Sequence, residues 1–177
     1  LACVFALAHS GEIELHGVVI DYPPAGHAGA PDALALAQLN FLTGLSVPFS
    51  VGSPTKLTSR NDRQADASYS DENGVRMVLD VLQHANAPVV ITIVGSCRDI
   101  AIAGNRAPAL FREKCAAIYL NAGSGCPQPQ LLGELEYNVR LNVSAYAAIF
   151  DIPCPIYWMP CFEMTPPTWE VSEFGTF

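Results

Sequence analysis

Two stretches of this 177-residue chain carry side chains whose types and spacing could do chemistry. The first is Glu136-Tyr137-Asn138-Val139-Arg140-Leu141-Asn142. In extended chain, residues two apart point to the same side, so Glu136 and Asn138 would present a carboxylate and an amide together. Such a pair supplies acceptors and donors suited to the vicinal hydroxyls of a sugar. The same residues also fit a surface turn leading into a helix capped by Asn142. The second stretch is Val94-Gly95-Ser96-Cys97-Arg98-Asp99-Ile100-Ala101, where a strand enters a helix through Gly and Ser. Backbone amides and carbonyls at such a turn can meet a ligand. From these residues alone the plainer reading is stronger: a strand-to-helix turn with Asp99 favourably placed at the helix N-terminus.

The elements that must position these stretches follow from periodicity. Helical spacing is expected over Leu1–His9, Pro31–Gly44, Asp71–Asn86, Asp99–Leu110 (ended or broken by Pro108) and Asn142–Phe150. Within Pro31–Gly44 the near-helical apolar positions are Leu34, Ala37, Leu39 and Phe41, and Gly44 suits the C-cap. In Asp71–Asn86, Val75, Val78, Leu79 and Leu82 make one apolar stripe. Strands are expected at Glu14–Ile20, Val47–Val51, Val89–Val94, Cys115–Leu120 and Pro155–Met159. The unbroken run Val89–Val94 predicts a strand buried on both faces. The polar segment Ser53–Ser70 is long for a connection and predicts a mobile or functional loop. Strands alternating with helices imply βαβ units, hence an α/β fold with a doubly wound, mostly parallel sheet flanked by helices. No linker divides the chain, so residues 1–177 read as one domain.

In such a sheet the ligand lies beyond the carboxyl ends of the strands. That rule selects Asp21 and Tyr22, Gly95–Asp99, Asn121–Gly125 and Pro160–Glu163, with Glu136 and Asn138 in the segment after Gly125. His9, His16, His27 and His84 show no metal-binding spacing, and His27 in its Gly-rich loop is the one that suits a pocket. No GxGxxG, phosphate-binding loop or GxSxG motif is present.

Composition narrows the ligand. Nine basic against 17 acidic residues give a net charge of −8, which disfavours nucleic acid polymers and anionic membrane surfaces. The longest apolar runs fall far short of the roughly 20 residues of a membrane span. A neutral small molecule read by hydrogen bonds fits better. The six cysteines, Cys3, Cys97, Cys115, Cys126, Cys154 and Cys161, form no CxxC and no Cys/His zinc spacing. Several lie in apolar runs, as buried reduced thiols do, and this leans towards a reducing compartment such as the cytoplasm.

Taken in order, these segments resemble the inosine/uridine-preferring nucleoside hydrolase family. Phe5–Ser10 through Glu14–Val19 is similar to the family's "ALA…EIELLGIT". Val89–Ala101 is similar to "VTLVATGPLTNIA", and Ala117–Gly123 to "IVIMGGA". Glu136–Ala148 resembles "EFNIYVDPEAA", the most specific of the four, and Pro155–Pro160 follows at the family's distance. The resemblance implies a calcium-dependent hydrolase of the N-glycosidic bond of ribonucleosides, in which Ca2+ and carboxylates set a water beside the anomeric carbon. It implies that Glu136 and Asn138 bind ribose hydroxyls, that Leu120 lines the sugar face beside Asn121, and that the Arg98 main-chain carbonyl is a calcium ligand.

The chain also departs from the family pattern. The D-x-x-x-D-D cluster is expected upstream of Leu1, and the late Asp and its neighbouring His beyond the C-terminus, so no catalytic residue is assigned within the chain. The Asn expected after the first strand is Pro24, the helix-capping Asp is Asn142, "GGA" is Asn121-Ala122-Gly123 and "GPLTN" is Gly95–Asp99. These features predict a piece truncated at both ends and inactive by itself. Two functions therefore stand: nucleoside hydrolysis by the full-length parent, and a non-hydrolytic nucleoside- or sugar-binding relative. Assembly into a homo-oligomer is left open.

Overall fold

The structure is a computed structural model that describes residues 1–22, 31–125 and 134–161. Pro24, His27, Cys126 and Glu163, which the sequence singles out, lie outside the described residues. The N-terminal part comprises α1 (Ala2–His9), β1 (Val18–Ile20), α2 (Pro31–Thr43) and β2 (Phe49–Val51). A 3-10 turn, Tyr69–Glu72, leads into α3 (Asn73–His84) and β3 (Val89–Ile93). Then follow α4 (Arg98–Arg106), α5 (Pro108–Lys114), β4 (Cys115–Leu120), α6 (Tyr137–Leu141), α7 (Val143–Ile149) and β5 (Ile156–Trp158).

All described strand pairs are parallel, as the helical crossovers require. β1 pairs with β2, and β3, β4 and β5 form a three-stranded sheet in that order. Helices flank both, which is the expected α/β class. The larger core gathers Leu82, Ile93, Ile102, Phe111, Ile118, Leu120 and Ile149 between the three-stranded sheet and α3, α4 and α7. A smaller core holds Phe5, Ile20, Leu36 and Val47. α4 is buried from Arg98 to Gly104, and Ala101, Ala103 and Gly104 let it pack closely. A Cβ on Gly104 would stand 2.6 Å from the Ile152 Cδ1 atom.

Several elements differ from expectation, each for a local reason. Only Val18–Ile20 of Glu14–Ile20 pairs as a strand. The run Val89–Val94 is not buried on both faces: Ile93 is 4% exposed but Val90 is 55% exposed. Its partner β4 alternates likewise, with Ile118 and Leu120 buried and Tyr119 stacked on Tyr157 of β5 on the open face. Pro108 does not merely end a helix. It opens α5 as a first-turn residue, where its missing N–H costs nothing. In α2 the buried residue is Leu36, while Leu34 and Phe41 face outward, although Gly44 closes the helix with a left-handed φ of +70° as expected.

The long Ser53–Ser70 segment, expected to be mobile or functional, is tied down by side chains from the helices beside it. The Asn105 amide donates to the Arg60 and Asp62 carbonyls at 3.0 and 2.8 Å. Arg106 donates to the Arg63 carbonyl at 2.7 Å and pairs with Glu72 at 2.6 Å. Asn142 accepts from the Leu57 N–H at 2.9 Å and donates to its carbonyl at 3.1 Å. Asn142 therefore stands at the N-cap position of α7 but makes no cap bond; its amide reads the loop instead.

Candidate functional site

The carboxyl ends of β1 and β3 are drawn together by a carboxylate that accepts a backbone hydrogen bond. Asp21 follows β1. Both its oxygens accept from the Ser96 N–H, at 3.0 and 2.9 Å, which joins the end of the two-stranded sheet to the end of the other. Gly95 makes that approach feasible, since a Cβ there would lie 2.4 Å from Asp21 Oδ2. Arg98, only 6% exposed, donates from Nε to Ser96 Oγ at 2.9 Å and from Nη1 to the Pro54 carbonyl at 3.2 Å. As the first residue of α4, it commits one lone pair of its main-chain carbonyl to the helix ladder, leaving one for any other partner.

Asp99 sits one residue further on, 5% exposed. Its two oxygens accept from the Ser53 N–H at 3.0 and 3.2 Å. Two glycines leave it room: a Cβ on Gly52 or Gly74 would come within 2.4 or 2.5 Å of its oxygens. Burial raises the carboxyl to about 6, with Asp21 pushing the same way, against the Ser53 amide and the Arg98 charge. Burial also pushes the Cys97 thiol up to about 12, helped by the charges of Asp21 and Glu136. Cys97 thus remains a protonated thiol at neutral pH, without nucleophilic character.

The second corner lies after β4. Glu136, 7% exposed, is the N-cap of α6. Its Oε1 accepts from the Asn138 N–H at 3.0 Å, and its Oε2 from Gly123 and Val139 N–H at 2.9 and 3.1 Å. This corrects the extended arrangement expected for Glu136-Tyr137-Asn138. Both carboxylate oxygens are occupied by backbone amides, because a buried helix start must satisfy its first N–H groups. Asn138 lies inside the helix, and its Nδ2 donates to the Asn121 carbonyl at 3.0 Å. The Asn121 side chain in turn donates to the Met159 carbonyl at 3.1 Å. Glu136, Asn138 and Asn121 therefore do come together, as a clip between the β4 loop and α6. Leu120 does not join them: its side chain is fully buried in the core, because it occupies the inward register of β4 opposite Ile93.

An aromatic wall stands beside this clip. The Trp158 Nε1 donates to the Ala122 carbonyl at 2.7 Å. Phe150 packs edge-on against both Trp158 and Tyr146, at 6.2 and 5.3 Å between centroids. Gly123, with φ of +87°, lets the loop pass Tyr146, whose hydroxyl would be 2.5 Å from a Cβ there. Burial chiefly holds the Tyr146 phenol above its ordinary value. Sequence reasoning missed Trp158 and Tyr146, since a Trp at a strand end and a Tyr in an Ala-rich helix both read as core. Ser53 is legible only as the start of the Ser53–Ser70 loop, and its backbone N–H bond to Asp99 is not.

The arrangement can present amide donors and carbonyl acceptors to a neutral polyol, and it can exclude water on one side with aromatic rings. An open hollow of about 550 Å3 lies elsewhere, on α2 between Ala37, Gln38, Phe41 and Leu42. It has no titratable lining, so hydrogen-bond convergence rather than concavity marks the site. Among the described residues no three His, Cys, Asp or Glu side chains gather as metal ligands. No described helix is long and apolar enough to cross a membrane.

No protein-family model matches the chain, and no curated protein matches it. Among solved structures, the chain is similar to the crystal structure of an inosine-uridine preferring nucleoside hydrolase from Bacillus anthracis, with a TM-score of 0.64 and 16% identity. The match covers 90% of this chain, which spans 60% of the length of that protein. The likeness is one of fold: parallel sheets flanked by helices, arranged as in a nucleoside hydrolase.

Proposed function

We propose that this chain forms the ribose-binding part of a nucleoside N-glycosidase. The sugar of a ribonucleoside sits at the carboxyl end of β4, and the N-glycosidic bond is cleaved by water to free base and ribose. The observation that carries this reading is the Asn138–Asn121 contact at 3.0 Å, with Glu136 fastening the same loop to α6. Asn138 thereby reaches the Asn121 main chain, and the Asn121 side chain reaches the Met159 carbonyl, which supports a site at the strand ends where ligands of parallel sheets bind. The fold likeness supports the substrate class, since the similar structure is named for inosine and uridine.

In this reading Asn121 and Asn138 donate to and accept from ribose hydroxyls. Glu136 is a positioning residue, because its oxygens hold three backbone amides in place. In the reaction the water oxygen bonds to the anomeric carbon as the bond from that carbon to the base nitrogen breaks. The departing base takes up a proton. The described residues do not by themselves fit Ca2+, which takes six to eight oxygen ligands. Glu136 spends both carboxylate oxygens on three backbone amides, Asp21 and Asp99 are each tied to one backbone N–H, and no three such side chains gather among the described residues. Calcium would need donors beyond these, and no step here is routed through it.

A second reading, a nucleoside- or sugar-binding relative without hydrolysis, is favoured by the three backbone amides that occupy the Glu136 carboxylate. The two separate on one experiment. The polypeptide carrying this chain is incubated with inosine and uridine, with free ribose measured by a reducing-sugar assay and binding by calorimetry. Ribose release that falls at least tenfold in Asn138→Ala supports the hydrolase. Binding with no release selects the second reading, and neither signal rejects both. The 177 residues alone are expected to bind without turnover.

A further inference from the structure

At the amino ends of the three-stranded sheet, away from the strand-end crevice, two cysteines meet. Cys115 opens β4 and is 5% exposed, while Cys154 lies two residues before β5 and is partly exposed. β4 and β5 run parallel with Ile118 abreast of Ile156, and the Ile118 N–H donates to the Pro155 carbonyl at 2.9 Å. Extending that register two residues back, past the start of β5, would set Cys154 beside Ala116, the neighbour of Cys115. With strands about 4.8 Å apart and about 3.3 Å per residue, the two Cα atoms stand roughly 6 Å apart, inside the span a disulfide bridges. The Cys115 thiol donates to the Ala117 carbonyl at 3.5 Å, the two cysteines are near enough to shift one another's ionisation, and neither is in a disulfide.

We propose that Cys115 and Cys154 are an oxidation site, forming a disulfide by exchange with a low-molecular-weight disulfide such as oxidised glutathione. Cys154, the more exposed, reacts first. It releases its proton, its sulfur bonds to one glutathione sulfur, and the other glutathione leaves as thiolate. Cys115 then gives up its proton, its sulfur bonds to that of Cys154, and the second glutathione departs. Two protein thiols are oxidised, one glutathione disulfide is reduced to two thiols, and the two protons end on those thiols. Burial raises both cysteines, Cys115 to about 12, so the attacking thiolates are scarce at neutral pH and the exchange is slow. The bond would staple the start of β4 to the turn feeding β5, enclosing α6 and α7, and would leave the Asn121–Asn138 clip untouched.

The test is to incubate the native chain with oxidised glutathione in mildly alkaline buffer, denature it with excess iodoacetamide, and map the peptides by mass. The expected product joins the peptides of Cys115 and Cys154 with the loss of two hydrogens. The thermal midpoint of the oxidised chain rises and returns on reduction. In Cys154→Ser and Cys154→Ala no cross-link forms at Cys115 and the midpoint does not move. The proposal is overturned if both cysteines of the wild-type chain are recovered alkylated. It is overturned equally if Cys154 stops at the mixed disulfide, or if Cys115 is joined to another cysteine in any form. Should either variant fail to fold, the wild-type map decides alone.

Discussion

Two corners of the molecule solve the same problem with different economy. At the β4–α6 corner, Glu136 is 7% exposed and its oxygens accept three backbone N–H groups, from Gly123, Asn138 and Val139. At the β2–α4 corner, Asp99 is 5% exposed and its oxygens share one backbone N–H from outside its own helix, that of Ser53. Burial disfavours a charged carboxylate and donated hydrogen bonds favour it. At Asp99 burial wins, and the carboxyl rises to about 6. The difference teaches that a buried carboxylate becomes a rigid clip only where the backbone offers it enough donors. Glu136 is such a clip, whereas Asp99 is held largely by the space that Gly52 and Gly74 leave for it.

The sharpest way to break the contrast is to remove the clip. Glu136→Ala leaves three amides at a buried loop and helix start without their acceptor, at a cost of about 4 kcal/mol in unfolding free energy. Glu136→Gln keeps one acceptor oxygen and costs about half as much. Urea denaturation measures both, and equal stability of all three proteins would show that the amides find other partners.

The second expectation concerns pH and has the opposite sign from an ordinary paired carboxylate. Because the folded pKa of Asp99 lies above its unfolded value, near 4, the folded state binds the extra proton. Its stabilising contribution is complete below pH 4 and is lost as pH rises through about 6. The shift corresponds to about 3 kcal/mol. Asp99→Asn, which keeps an acceptor for Ser53, removes that slope, so its stability relative to wild type rises between pH 4 and pH 7. An unchanged slope in the variant would assign the titration elsewhere.

A smaller effect is expected from Gly52→Ala. The added methyl meets Asp99 Oδ2 at 2.4 Å, and relieving that overlap costs about 2 kcal/mol. In the Asp99→Ala background that overlap is gone and the Ile20 carbonyl, 3.1 Å from the methyl, is the remaining close contact, so most of the penalty disappears in a double-mutant cycle. A penalty that persists would place the strain in the backbone.

Much of this was legible in the sequence because it rests on local chemistry. The alternation of helices and strands gave the parallel α/β class. Gly44 marks the end of α2, and the strand-end rule puts Asp21, Asp99 and Asn121 beyond the carboxyl ends of their strands, where the structure has them. What failed depended on neighbours that sequence does not display. β3 reads as buried on both faces because Val90 and Ile93 are equally apolar, yet among the described residues Ile93 is buried and Val90 is exposed. Glu136-Tyr137-Asn138 reads as extended because a five-residue helix has too few residues to show a period. Its N-cap carboxylate resembles a ligand-binding one until the three amides are seen. Asn142 carries the residue type of a cap, but Leu57, distant in sequence, claims its side chain.

The central claim is that the Asn121–Asn138 clip holds the sugar of a ribonucleoside. Calorimetric titration of inosine into the chain, beside Asn138→Ala with its fold verified by circular dichroism, tests it most directly. The account predicts saturable binding that weakens at least tenfold in the variant and is competed by free ribose. Binding of equal strength to both proteins, or no binding to the wild-type chain, would contradict it.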